Sequence, residues 1–253
     1  MKVTGERAVT PAGGFNPAWQ RHVAGYVLCE PFLGAGRVLD LGCGIGHSFD
    51  RLAPRETVGV DIDGEALAGQ ARETVVADMR HLPFDDASFA SVIASHAVEH
   101  VPDPERAVAE AARVLERDGV AAFVTPNRLT FGRPDEIIDP YHYVELDPDE
   151  LQRLCRRYFG EVELRGLFAS DRYMELFREE RAKLDGLLRL DPFRLRRLVP
   201  RGMRQWIYDW LLRHYRPSHD RRAEAIAVED FELREAPLEE SLDLYAFCRS
   251  PLR

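Results

Sequence analysis

RVLDLGCGIG (Arg37–Gly46) runs through the apolar stretch Val38–Leu41, broken by the acid Asp40, and then sets glycine at 42, 44 and 46. Such a run ending in spaced glycines reads as a buried strand breaking into a tight turn, where a ligand can approach the backbone closely. One short helical stretch later, VGVDID (Val58–Asp63) forms a second strand and ends it on Asp61. Strand, glycine turn, helix and an acid about 20 residues on is the layout of nucleotide-binding α/β units. The dinucleotide fingerprint, however, needs a third glycine or an alanine where this chain has His47. Asp40, just before the first glycine, has no use for a pyrophosphate at the helix start. It suits a ligand carrying positive charge, such as the sulfonium and α-amino groups of S-adenosylmethionine.

The rest of that ligand finds candidates at the next strand ends. Asp61 can accept both hydroxyls of a ribose. Asp78, in VVADM (Val75–Met79), can accept from an adenine amino group, with Ile62 and Met79 as apolar walls for the ring. Gly42, Cys43 and Gly44 form the turn itself, the Cys43 thiol being read as a small group packed beneath it.

Composition sets the outer bounds. The chain has 253 residues, is 45% hydrophobic and 30% charged, and carries a net charge of −9. That length and apolar content support a substantial core. An acidic chain gains nothing from counterion release on a phosphate backbone, so no nucleic-acid partner is expected. Neither a signal peptide at the start nor a run of roughly 18 apolar residues is apparent, so a cytoplasmic protein is expected. Cys29, Cys43, Cys155 and Cys248 are scattered, with no paired spacing and no adjacent histidine. They read as reduced thiols, and neither a metal site nor a disulfide framework is expected.

Short apolar runs alternate with helical stretches from residue 37 onward. Strands are predicted at Val38–Leu41, Thr57–Val60, Thr74–Ala77, Ala90–Ala94, Val120–Val124, Val162–Leu167 and Leu242–Phe247. The first five are too apolar to face water on one side, which suits a parallel sheet covered on both faces. DPERAVAEAARVLERDG (Asp103–Gly119) reads as one helix, capped by Asp103, opened by Pro104 and ended by Gly119. A further helix is predicted over Pro148–Tyr158. Residues 1–36 form an N-terminal helical segment in which Phe15, Trp19 and His22 can act as a lid. Residues 37–253 then form one α/β domain, with 170–230 as an inserted basic helical cap. In that insert Leu198, Met203, Trp206, Ile207, Trp210 and Leu211 offer an apolar face. A solvated cap is the leading reading of the insert. A homodimer surface comes next, and contact with an anionic substrate or a membrane surface is less favoured.

VLDLGCGIG, VGVDID, the stretch from Ala77 to Gly119 and TPNR (Thr125–Arg128), taken in order, resemble the class I S-adenosylmethionine-dependent methyltransferases. The similarity covers roughly residues 35–168 and is closest to the branch of quinone-biosynthesis and natural-product tailoring enzymes. It implies a Rossmann-like α/β fold with a seven-stranded sheet in the order 3-2-1-4-5-7-6, the last strand antiparallel and helices on both faces. It implies S-adenosylmethionine as cofactor, S-adenosylhomocysteine as product and a small molecule as acceptor. Ser91, in FASVIAS (Phe89–Ser95), departs from the family, which usually places an acid there.

Methyl transfer needs alignment and exclusion of water, and a base only where a hydroxyl must lose its proton. SHAVEH (Ser95–His100) ends the fourth strand, where ligands of open α/β sheets bind, and supplies His96 and His100 as base candidates. Ser95 and His96 are also placed to line the methionine end of the cofactor. His142, in DPYHYVELDPDEL (Asp139–Leu151), is a third candidate, since the resemblance implies an aromatic-histidine stretch at this point. The expected reaction is methylation of a hydroxyl oxygen on a sugar or other hydroxylated metabolite. A non-catalytic cofactor-binding scaffold and, less favoured, a nicotinamide-dependent oxidoreductase are the competing readings.

Overall fold

In the computed structural model, which describes residues 16–131, 137–189, 191, 194–215 and 220–252, the apolar runs become strands. They are β1 (Val38–Leu41), β2 (Thr57–Asp61), β3 (Glu73–Val76), β4 (Phe89–Ser95), β5 (Leu115–Pro126), β6 (Phe159–Ala169), β7 (Phe231–Arg234) and β8 (Asp243–Pro251). They pair in the order β3-β2-β1-β4-β5-β8-β6-β7. β1 to β5 are parallel to one another, and β8 enters antiparallel between β5 and β6. The expected seven-stranded order is corrected here. The final strand has its expected neighbours and direction, but an eighth strand, β7, lies beyond β6 at the sheet edge. Its sequence FELR alternates buried Phe231 with exposed Glu232 and Arg234, so a search for continuous apolar runs passes over it. Charge of this kind on an edge strand discourages pairing with another chain.

Two other expectations change. β3 is not buried on both faces: Glu73 and Val76 are exposed, because β3 is the opposite edge of the sheet. The helix starting at Pro104 ends at Val114, not at Gly119, and Leu115 already opens β5. Asp103 caps its start as read, accepting from the Arg106 amide. Gly119 serves a close strand approach instead, since an added Cβ would lie 2.9 Å from the Ala90 carbonyl oxygen.

Alternation within the strands assigns the two sides of the sheet. Leu39, Leu41, Val92, Ala94, Ala121 and Phe123 join one core with Ala107, Val108 and Ala111 of the helix Pro104–Val114, and with Leu151 and Cys155 of the helix Pro148–Arg156. Asp40, Ser91 and Ser95 therefore belong to the other side. There the Tyr26 hydroxyl, from the helix Asn16–Val27, donates to Asp40, the Gly34 amide donates to Ser91 Oγ, and Gly25 lies against Ser95.

Contacts divide the chain into two units. The sheet unit comprises the described parts of 22–138, 142–168 and 232–253. The other comprises those of 16–21, 139–141 and 169–231, with the helices Asp171–Arg189 and Arg201–Tyr215. Within this second unit Arg201 donates to the carbonyls of Pro140 and Tyr141, Asn16 donates to the Ala223 carbonyl, and Arg172 pairs with the Asp230 carboxylate. Leu198, Met203, Trp206 and Trp210 are exposed, Trp206 by 66%, so the tryptophans of the basic insert are not core residues. Phe15 and the side chain of Leu211 lie outside the described residues. Among the described residues no helix is long and apolar enough to cross a membrane. The four cysteines are buried and unbonded to one another.

Candidate functional site

The turn after β1 is held open by geometry that only glycine adopts without strain. Gly42, Gly44 and Gly46 have φ of 66°, 53° and 72°. At Gly46 a side chain would also overlap Gln70, whose Oε1 lies 2.2 Å from the Cβ position. Gln70 is needed there because its amide donates to the Gly44 carbonyl at 2.8 Å and closes the turn. Gly44 differs, since among the described residues nothing lies within 4 Å of its Cβ position. The turn therefore presents bare backbone on that side. Asp61, at the end of β2, ties the adjacent strand to it: one carboxylate oxygen accepts from the Gly44 amide at 2.8 Å and the other from the Asp63 amide at 2.9 Å. Ile62 beside it is 71% exposed. Cys43 is buried below the turn, and burial pushes its thiol well up, so it is a packing group.

Asp40 does not face open space. Its carboxylate is fully buried, 2.8 Å from Arg72 Nη2 and 3.0 Å from the Tyr26 hydroxyl. Burial raises its proton affinity, and Arg72 and Tyr26 oppose the rise. The positive partner expected from a ligand is thus supplied from within the chain. Arg72 also lies over the Phe49 ring and donates to Gln70, which links the ion pair to the glycine turn. Asp78 is likewise engaged, in a two-pronged pair with Arg80 that holds its carboxyl below the usual range. Met79 is buried, with its methyl group 3.1 Å from the Cβ position of Gly42.

Beyond β4 the chain turns sharply, and His96 adopts a left-handed φ of 51°. Its ring lies 3.5 Å from Glu99 Oε1 on one side and 3.6 Å from Asp243 Oδ2 on the other, with the His22 ring centroid 4.2 Å away. His100 and His142 meet edge to face at 5.0 Å. The segment carrying His142 is docked by backbone, as the Tyr143 amide donates to the Glu99 carbonyl at 2.7 Å. Glu145 Oε1 holds His142 Nδ1 at 3.0 Å. Glu99 is the hub. Burial alone would raise its pKa, but the imidazoles of His96, His100 and His142 outweigh that and bring it down to about 2.

Sequence reasoning placed the turn, Asp61 and all three histidines in one region, and the structure puts them at the strand ends of the sheet unit. It missed Arg72, Gln70, Arg80, Glu145 and Asp243, whose spacing matches no motif. Ser95, 9% exposed, ends β4 with its hydroxyl against Gly25.

His47 gives a pH-dependent prediction. Burial, followed by repulsion from His96 and Arg72, lowers its pKa to about 4. The folded state therefore favours neutral His47, whereas the unfolded chain takes up a proton near 6.5. Stability from this group is complete above about 6.5, falls as the pH drops to about 4, and is flat below. Urea unfolding should show a loss of about 2 kcal/mol between pH 7 and 4.5. That portion should vanish in His47→Phe; an equal loss in the variant would show that His47 is not its source.

Known proteins resemble the chain in sequence and in fold. The family described as a methyltransferase domain matches residues 39–123, which span β1 to β5. A probable S-adenosylmethionine-dependent methyltransferase of Mycobacterium tuberculosis is 37% identical over 186 residues, 70% of this chain and 68% of that protein. Among solved structures, an S-adenosylmethionine-dependent methyltransferase of Thermotoga maritima, described as a possible histamine N-methyltransferase, superposes with a TM-score of 0.61 at 16% identity, covering 93% of this chain and 92% of its own. Phosphoethanolamine N-methyltransferase 2 of Haemonchus contortus, solved with S-adenosylhomocysteine, reaches 0.56 at 19% identity over 91% of this chain and 52% of its own. With the glycine turn, the Asp61 anchor and the sheet order already in place, these likenesses mean that the chain belongs to the class I S-adenosylmethionine-dependent methyltransferases.

Proposed function

We propose that this enzyme methylates a hydroxyl oxygen of a small molecule, a sugar or another hydroxylated metabolite. When bound, S-adenosylmethionine supplies a methyl carbon activated by its sulfonium. The donor set fits it. Asp61 keeps acceptor capacity on both oxygens for the ribose hydroxyls while its backbone partners fix its orientation. The bare backbone at Gly44 admits close approach, with Gly42 and Cys43 completing the turn. Ile62 and Met79 flank the adenine, Asp78 accepts from its amino group, and Ser95 and His96 line the methionine end. Asp40 serves from beneath by fixing the turn through Arg72 and Tyr26.

The observation that carries the oxygen acceptor is the grouping of His96, His100 and His142 around Glu99. An amine acceptor can lose its proton after it reacts, whereas a hydroxyl must be relieved of its proton as it attacks, and imidazoles held beside an ionised carboxylate are suited to that task. The test supplies methyl-labelled S-adenosylmethionine to the purified enzyme with matched panels of hydroxylated and amine acceptors. Label in an ether product is expected. Label in amines alone would overturn the oxygen assignment.

A further inference from the structure

Glu99, His100 and His142 bring one carboxylate and two imidazoles together, with one ligating atom from each residue, all within 4.8 Å of one another. Chain geometry enforces the grouping. The 3-10 turn Val98–His100 places the first two residues, and the backbone bond from Tyr143 to Glu99 delivers the third. Two further observations point to a ligand. Glu99 is 1% exposed, yet among the described residues neither of its carboxylate oxygens has a close hydrogen-bond partner, the nearest imidazole nitrogen, His96 Nδ1, standing off at 3.5 Å. A buried carboxylate without hydrogen bonds is costly unless a cation stands against it. His142, moreover, has its Nδ1 held at 3.0 Å by the buried carboxylate of Glu145. A carboxylate bonded to one ring nitrogen while the other takes a metal is the usual second layer of a metal-bound histidine.

Two imidazoles and one carboxylate form a donor set for zinc and its first-row neighbours, whereas magnesium and calcium prefer oxygen alone. Three protein ligands also leave coordination positions for an exchangeable group. We propose that Glu99, His100 and His142 bind one divalent transition-metal ion, that Glu145 orients His142, and that the open positions take the acceptor hydroxyl. The ion polarises that hydroxyl and lowers its pKa without changing oxidation state, which makes His100 and His142 ligands and leaves His96 beside the reacting oxygen as proton acceptor. Metal binding stands on the side-chain cluster alone; only the use made of the metal rests on the methyl-transfer reading.

Cobalt(II) is the probe, because its visible absorption reports tetrahedral or five-coordinate nitrogen–oxygen ligation directly. Chelator-stripped enzyme is titrated with cobalt(II), and S-adenosylhomocysteine binding is measured by calorimetry on the same preparation. The expected result is one cobalt per chain, displaced by zinc. Glu145→Gln should weaken it by 10–100-fold, on the order found when such orienting groups are removed. Glu99→Gln and His100→Ala should weaken it further, with nucleoside affinity kept within about a factor of two. His100→Ala, at a half-buried position, guards against a folding defect in Glu99→Gln. Absence of saturable cobalt binding in the folded wild-type enzyme, or equal binding in both ligand variants, overturns the site. Failure of the oxygen-acceptor reading would show separately, as methyl label in amines alone with cobalt binding intact.

Discussion

Asp61→Ala should weaken S-adenosylhomocysteine binding by roughly 100-fold or more. The carboxylate is assigned two hydrogen bonds to the ribose, and bonds to an ionised acceptor contribute about 1.5–3 kcal/mol each. Losing both costs about 3 kcal/mol at the least, which at 1.4 kcal/mol per tenfold gives that factor. A second loss adds to it. Asp61 also holds the amides of Gly44 and Asp63, so its removal releases the turn as well as the ribose. Asp61→Asn separates the two effects, because an amide retains one acceptor but cannot receive two donors on each side. Its affinity should fall between those of the wild type and Asp61→Ala. Calorimetry with the demethylated product avoids any dependence on turnover. Affinity for Asp61→Ala within tenfold of the wild type would mean that the ribose lies elsewhere, and the cofactor assignment built on this strand end would have to be abandoned.

Asp61 was legible because the requirement is local. Positive φ at Gly42, Gly44 and Gly46 restricts those positions to glycine, and an acid ending the next parallel strand must lie beside them. The strands β1, β2, β4 and β5 were legible for the same kind of reason, since burial on both faces writes an unbroken apolar run. β7 was not, because an edge strand with one covered face needs only Phe231 and half of Leu233. The end of the helix before β5 was misread because Gly119 looks like a helix terminator, while its real constraint is the Ala90 carbonyl on another strand. The histidine cluster shows where sequence reasoning stops. The expectation of no metal site came from cysteine spacing and nearby histidines. It could not reach a group whose third member arrives through a backbone bond from a distant loop. Asp40 makes the same point about charge. The sequence supplied a carboxylate needing a cation and suggested a ligand, but Arg72, from the turn before β3, had already taken the place.

That ion pair carries the second large effect. Arg72→Met should destabilise the fold by about 3–5 kcal/mol, the cost of leaving a buried carboxylate without its partner. Both groups are almost wholly withdrawn from water, with side-chain exposures of 3% and 0%, so solvent cannot replace the lost guanidinium. Methionine keeps an apolar chain of similar length, and the loss includes the contact of the guanidinium with the Phe49 ring as well as the charge and its hydrogen bonds. The pH dependence has a definite sign. Burial already raises Asp40 and Arg72 opposes it, so removing Arg72 lifts the folded-state pKa further above the unfolded value near 4. The variant then binds a proton in the fold that the unfolded chain does not, and its deficit should shrink as the pH is lowered from 7 toward 5. Asp40→Asn combined with Arg72→Met should recover much of the lost stability, because the uncompensated charge is gone, and a double-mutant cycle measures the coupling. Urea unfolding at pH 7 and 5 on the wild type, both single variants and the pair decides the matter. A loss below 1 kcal/mol in Arg72→Met, or no recovery in the pair, would show that Asp40 is not held by this arginine and leave its carboxylate available to a cationic ligand after all.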